Sequence, residues 1–506
     1  MKISIIGAGV SGLSIGCYLQ MNGFETEIFE KHSHAGGLCT SWKRGEFTFD
    51  GCIHWLMGSN SSSPFYRLWS ELVDMKSVEF FNHEVRFEIE LEVNRDRHGD
   101  RVFHLYNNIN RLEAYLLDLA PEDTGLIKDL IRSIRVMQRF ELPPMIENAP
   151  VMQSWRKRLA MASYLPFVIL YLKWRNVTNF SFARKLKNPF LKEAFELLFD
   201  GEEFKMLILT MPLSIFDRNG AGYPIGGSYR FANRIAERYK ALGGKIHYDQ
   251  PVKRILTGGN RAQGVLLQND SIVYSDITIS ATDWYFTMFE ALEGRFLNNS
   301  ILALASQRTL KLYPSVFLIS LGVSRSFSEY PHLIRFPLNA AVASPDGTVY
   351  TRIESHIYHY DPTLAPEGKT IIVLSLYTRN GDFWINLRNK DMAEYNRCKT
   401  EFAEKIIDRL NEKIEGVKAS VEITDVATPA TYHRYTGSWK GSVQGWFPDR
   451  NLLASSPVGI GLAGLSDFYY SSQWSVPGGG LPVVIKAGRD LSRFISMKYK
   501  KQFIIK

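Results

Sequence analysis

Lys2-Ile3-Ser4-Ile5-Ile6-Gly7-Ala8-Gly9-Val10-Ser11-Gly12 opens the chain, and Leu13-Ser14-Ile15-Gly16-Cys17-Tyr18-Leu19 continues it. An apolar run, a glycine-punctuated turn and a second apolar segment predict strand, tight turn and helix. Gly7 permits the turn, Gly9 lets backbone approach a pyrophosphate, and Gly12 lets helix and strand pack closely. The helix N-terminus offers free N–H groups and the positive end of its dipole. Residues 24–30 alternate toward a second strand ending in Glu30, 18 residues beyond Gly12. A carboxylate there accepts both ribose hydroxyls of an adenosine and repels a 2′-phosphate, so the site disfavours NADP. The reading is a Rossmann-type βαβ unit, α/β in class.

Moving outward, His34-Ala35-Gly36-Gly37-Leu38-Cys39 supplies a second glycine pair at which backbone can approach a ligand. Gly45-Glu46-Phe47-Thr48-Phe49-Asp50-Gly51 follows and leads into Cys52-Ile53-His54-Trp55-Leu56. His54, between apolar neighbours, is the candidate for moving a proton near the site. The competing reading is a structural histidine. This segment resembles the second signature of the FAD-binding superfamily that includes amine oxidases and phytoene desaturases. There the glycine pair runs beside the FAD diphosphate. Many members carry Arg after the pair, where this chain has Leu38.

Further along, residues 84–93 alternate, with Val85, Phe87, Ile89, Leu91 and Val93 set against Arg86, Glu88, Glu90 and Glu92. That predicts a half-buried strand, paired as a hairpin with residues 102–106. Asn110 is the expected cap of one helix, and Pro121 the first turn of another over 122–140. Helical patterning runs on to about residue 211. After Gly226-Gly227 a helix is expected over 229–242, then strands at 245–248, 251–255, 264–267 and 277–281. Residues 295–450 read as a mixed sheet, with strands at 315–322 and 370–377 and a helix over 391–411. Asp283 reads as a helix cap rather than an acid catalyst. Tyr432, Tyr435, Trp439 and Trp446 are candidates to line an apolar tunnel, against a plain core role.

Ser471-Ser472-Gln473-Trp474-Ser475-Val476-Pro477-Gly478-Gly479-Gly480-Leu481-Pro482 predicts a glycine-rich turn opening a helix with bare N–H groups. Such groups can stabilise negative charge at the N1/O2 edge of a reduced flavin. Together with Gly36-Gly37, Tyr223–Gly227 and Thr428-Pro429, this segment resembles the phytoene desaturase, carotenoid isomerase and retinol saturase family. Many members have a small Ala-Gly pair where this chain has Ser471-Ser472. The resemblance implies an FAD domain in separated pieces (1–75, 216–292 and 451–506). It implies an inserted mixed-sheet substrate domain (76–110 and 293–450) and a helical subdomain (111–215). It implies that Val252 meets the adenine through its backbone and that the strand ending at Ala281 closes the domain. The implied cofactor set is Gly7, Gly9, Val10, Ser11, Gly12, Glu30, Lys31, Gly36, Gly37, Leu38, His54, Val252, Ala281, Gly479, Gly480 and Leu481. No metal is expected. The implied activity is desaturation or saturation of carbon–carbon bonds in a hydrophobic polyene, carotenoid, retinoid or isoprenoid. Double-bond isomerisation with reduced FAD and amine-oxidase-like chemistry are the alternatives. The electron partner is open.

The 506 residues carry a formal charge of +8. Residues 148–192 hold nine basic side chains and no acid, and residues 486–506 add +6, so the remainder is at −7. Within the first basic segment lies an uncharged run, 159–172, flanked by Trp155-Arg156-Lys157-Arg158 and Lys173-Trp174-Arg175. It is too short to span a bilayer. Aromatic and cationic flanks suit an anionic membrane surface, whereas a nucleic-acid binder would interleave its cations; no nucleic acid is expected. A buried core helix with a solvated basic rim is the competing reading. Cys17, Cys39, Cys52 and Cys398 form no C-x-x-C pair and suggest no disulfide framework. The expected setting is cytoplasmic, peripheral on the membrane.

Overall fold

The computed structural model describes residues 1–140, 165–199, 204–448 and 457–506. Its base is a five-stranded sheet in the order Phe468–Tyr470, Ile277–Ser280, Lys2–Ile6, Glu25–Phe29, Lys245–His247, all neighbours parallel. Ile3 lies opposite Ile277, and Ile5 opposite Ile28. Parallel strands covered on both faces need apolar residues throughout, and Ile3, Ile5, Ile28, Ile277 and Ile279 are fully buried. The helix Val10–Met21 buries every residue except Gln20. It packs against helices Gly227–Ala241 and Leu481–Lys498 and the strand Glu25–Phe29. An α/β domain thus gathers its strands from widely separated segments, as expected.

A second, seven-stranded sheet runs in the order Val421–Ala427, Ser315–Val323, Thr370–Thr378, Val349–Ile357, Leu333–Ala343, Val85–Glu90, Val102–Tyr106. It is mixed, because Leu333–Ala343 pairs in parallel with Val85–Glu90. The helix Met392–Lys413 covers one face through Phe402, Ile406 and Leu410. A helical layer, including Ile109–Leu119, Thr124–Met137, Pro189–Leu197 and Leu207–Phe216, shares a core with the hairpin residues Phe103 and Leu105.

Several expectations shift in detail. Asn108, not Asn110, caps its helix, accepting the Arg111 N–H at 2.9 Å. The cap must have extended backbone, and Asn108 is the residue that has it. Pro121 opens a single tight turn, Pro121–Asp123, before the helix Thr124–Met137. The helix expected from residue 229 already begins at Gly227. The strand expected to reach residue 93 ends at Glu90 and carries an irregularity between Val85 and Phe87.

Of the uncharged run 159–172, residues 159–164 and the flank Trp155–Arg158 lie outside the described residues; the rest forms the helix Leu165–Trp174. Among the described residues, no helix is long and apolar enough to cross a membrane, and no His, Cys, Asp and Glu cluster suits a metal. All four cysteines are free thiols.

Candidate active site

The first turn folds onto backbone. Gly9 caps the helix Val10–Met21. The Gly36 N–H donates to the Ala8 carbonyl at 2.9 Å, bringing the second glycine pair beside the first. A Cβ on Gly12 would stand 2.0 Å from the Gly7 carbonyl oxygen. Gly37, at φ +61°, would place a Cβ 3.2 Å from Gly9 Cα. Either substitution would push into backbone that cannot move without opening the turn. Glu30 is buried at the end of its strand. Its Oε2 accepts the Ala8 N–H at 2.6 Å and its Oε1 the His32 N–H at 2.9 Å. Burial raises this carboxyl, against those two donors and Lys31.

From this turn opens a cavity of about 1100 Å³. Gly7, Gly9, Val10, Ser11, Glu30, Lys31, Gly36, Gly37, Leu38, His54, Val252, Ala281, Gly479, Gly480 and Leu481 all line it. Gly12 does not: it packs behind Gly7. Gly480 caps the helix Leu481–Lys498, which has a proline in its first turn. Fewer N–H groups are bare there than the glycine run suggests. Gly478 donates to Trp446 O at 2.8 Å and Gly479 to Val476 O at 3.1 Å. Ser472 lines the cavity but caps a short turn, its Oγ accepting the Trp474 N–H at 3.2 Å and meeting the Tyr470 hydroxyl at 2.6 Å. The Ser471 hydroxyl is buried without a partner.

Asp283 is a cap, as expected: its Oδ1 accepts the N–H groups of Tyr285 and Phe286 at 2.8 and 3.0 Å. Its Oδ2 accepts the Trp439 N–H at 2.8 Å. It also lines the cavity, and burial outweighs those donors to push it up to about 7. Of the four candidate tunnel aromatics, Tyr432 and Tyr435 line the cavity. Trp446 is fully buried against Trp284 and Trp474, and Trp439 stacks on Tyr285 at 5.1 Å.

Away from the glycines the walls become apolar, with Phe199, Phe204, Leu207, Ile208, Leu209 and Leu213 among them. A polar cluster interrupts that wall. His54 stacks on His356 at 4.4 Å, and His356 Nε2 lies 2.9 Å from Glu354 Oε1. Glu354 Oε2 accepts from Arg335 Nε at 2.6 Å. Burial alone would raise Glu354, but Arg335 and His356 outweigh it and hold the carboxyl below the usual range. Burial, with His356 nearby, pushes His54 down to about 3, so its imidazole is neutral at physiological pH, with one ring nitrogen a hydrogen-bond donor and the other an acceptor.

Arg86 completes the cluster. Sequence alternation placed it on a solvent face, and the structure turns it into the cavity. Arg86 and Phe87 both line that space, which a regular strand forbids because successive side chains alternate. The irregularity between Val85 and Phe87 re-aims one of them. No local pattern in the sequence signals this, because the bulge depends on pairing with Val102–Tyr106.

Residues 5–72 match a family model described as an NAD(P)-binding Rossmann-like domain. The chain is 21% identical over 514 residues to the 4,4′-diapophytoene desaturase (4,4′-diapolycopene-forming) of a Methylomonas species, covering 99% of this chain and 96% of that one. It is 26% identical to prolycopene isomerase 2 of an Oncidium hybrid cultivar, covering 87% of this chain and 74% of the relative. Among solved structures, an oxidoreductase from Methanosarcina mazei aligns with a TM-score of 0.58 at 19% identity, covering 98% and 100% of the two chains. The fold is that of the FAD-dependent oxidoreductases. The residues present fit FAD. Two glycine pairs leave a backbone-walled trough, the Glu30 carboxylate lies beside it, and the same cavity continues into apolar space.

Proposed function

We propose that the chain is an FAD-dependent oxidoreductase that adds or removes hydrogen across carbon–carbon bonds of a hydrophobic polyene. The observation that carries this is the continuity of one cavity, with a glycine-walled nucleotide trough at one end and an apolar chamber at the other. FAD, when bound, supplies the hydrogen-accepting or hydrogen-donating chemistry. The chain's own residues do the rest. Gly9, Gly36 and Gly37 admit the diphosphate, Glu30 receives the ribose, and the N–H groups at the start of Leu481–Lys498 face developing negative charge. The apolar walls exclude water and orient an extended chain. His54, stacked on His356 with its Nδ1 buried without a partner, is the proposed proton-transfer residue; burial makes it a weak base, so it would take a proton only while negative charge develops beside it. The FAD segments (1–75, 216–292, 451–506) and substrate segments (76–110, 293–450) are proposed to divide the work in that way.

The likeness to a prolycopene isomerase keeps isomerisation as the second reading. Amine oxidation fits less well, since Arg86 and Arg335 on the cavity wall repel a protonated amine. We also propose a peripheral membrane contact on the cytoplasmic side. Leu165, Val168, Ile169 and Leu172 are 58, 43, 56 and 51% exposed. Their spacing puts them on one helix face. Phe167 and Trp174 turn inward. The 111–215 helical region would thus meet the lipid in which the substrate dissolves, with a quinone or oxygen as electron partner.

The test is anaerobic incubation of the purified flavoprotein with a polyene-rich lipid extract, read by flavin absorption and product mass. A two-hydrogen mass change with flavin reduction or reoxidation is expected. Unchanged mass with altered double-bond geometry supports the isomerase. No spectral response and no product overturns both.

A further inference from the structure

The polar cluster brings two guanidiniums, Arg335 and Arg86, to the cavity wall. Glu354 is bound by Arg335 and His356. Arg335 also donates to the Leu198 carbonyl at 2.5 Å. Arg86 has no carboxylate or hydrogen-bond acceptor of its own among the described residues. Its guanidinium instead lies over the rings of Phe216, at 4.3 Å, and Trp55, at 5.2 Å. Stacking occupies the faces of the guanidinium and leaves its in-plane N–H fork open. Burial and the neighbouring Arg335 lower its pKa only to about 9, so it stays charged at neutral pH.

Arg86 is half-buried, and its guanidinium faces cavity space instead of a protein acceptor. Here it borders both the large cavity and a small polar chamber lined by Asn82, His83 and Asn107. Around that chamber, His54 Nδ1, His83 Nε2 and Asn107 Oδ1 are buried without partners. Unmet hydrogen-bonding atoms thus gather around the small chamber that Arg86 and His54 share with the large cavity.

We infer that Arg86 receives the carboxylate of an amphipathic polyene, so that the substrate is a polyene acid rather than a pure hydrocarbon. This rests on reading the cavity as a polyene site and narrows the substrate class. A carboxylate matches the open fork bidentately and gives the Arg86 guanidinium a paired counter-charge. With its head fixed there, the chain's conjugated part lies along the apolar wall toward the glycine-lined end. Arg86 is thus a specificity-determining residue that sets which bond along the polyene is presented.

The experiment titrates the purified holoprotein with an all-trans polyene carboxylic acid and with its methyl ester, following tryptophan quenching. Wild type should bind the acid about 30-fold more tightly than the ester, in line with one charge-assisted pair. Arg86→Met should bring the acid down to the ester's affinity and leave flavin content and spectrum unchanged, while Arg86→Lys keeps part of the preference. Equal binding of acid and ester by wild type overturns the inference without any variant, so a variant that fails to fold does not protect it. A flavin spectrum shifted by Arg86→Met also overturns it, because the guanidinium would then be serving the flavin. If the ester binds well and the acid has no advantage, only the head-group assignment falls. If neither binds, the polyene reading falls with it.

Discussion

The two ends of the cavity are built on different principles. At the nucleotide end the wall is backbone: Gly7, Gly9, Gly36 and Gly37, with one carboxylate, Glu30, drawn in by the Ala8 and His32 N–H groups. At the far end the wall is side chain. Arg335, Glu354, His356 and His54 hold one another, and Arg86 stacks beside them on Phe216 and Trp55. A backbone wall fails when anything is added to it. A side-chain cluster fails when one member is taken away.

The largest test of that contrast is addition at the nucleotide end. A Cβ added at Gly9 would meet nothing closer than the Gly37 Cα, at 4.0 Å. Gly9→Val should therefore fold, yet weaken FAD retention about 100-fold or more by filling the trough. A fully loaded, yellow Gly9→Val protein with native circular dichroism would sink the cradle assignment. Gly12→Val sharpens the point, since its Cβ would strike the Gly7 carbonyl and cost the fold itself.

Removal at the other end comes next. Glu354→Gln removes the buried carboxylate that pairs with Arg335 and His356 and should cost about 3 kcal/mol in denaturant unfolding. The Arg335→Met/Glu354→Gln pair should recover much of it. Recovery of nothing would mean that the two residues do not act as a pair.

Asp283, which follows the Ala281-Thr282 pair packed against Gly7, gives a smaller, pH-dependent signal. Its folded pKa, about 7, stands above the ordinary value of 3.8. The folded state thus holds the proton more tightly than the unfolded state. The stability this confers is complete below about pH 4 and is lost as pH rises to about 7. Across that window the melting temperature of wild type should fall relative to Asp283→Asn. Parallel curves would show that Asp283 titrates normally.

The smallest stability effect belongs to the exposed helix. Ile169→Glu with Leu172→Glu should change stability by no more than about 0.5 kcal/mol per site but abolish co-sedimentation with anionic vesicles. Unchanged vesicle binding removes the membrane contact. Phe167 is unsuitable for this purpose, because it is only 8% exposed and its loss would report on the core.

The sequence by itself determined the nucleotide end. Glycine spacing is a local constraint: a tight turn, a bare helix N-terminus and a carboxylate at the next strand's end all follow from a few dozen contiguous residues. It also marked the Gly478–Gly480 turn and the cap at Asp283. Only the tertiary structure decided how many glycine N–H groups at that turn stay free, because Trp446 and Val476 supply the carbonyls that occupy two of them. Only the fold separated Tyr432 and Tyr435, on the cavity wall, from Trp439 and Trp446, which pack in the tryptophan core. Arg86 shows the reason most plainly. A two-residue period assigns it to solvent, and a bulge set by a partner strand turns it inward, where charge from residues some 250 positions away, Arg335 and Glu354, gives it meaning. Backbone chemistry is written in neighbours along the chain, whereas side-chain chemistry is written in neighbours in space.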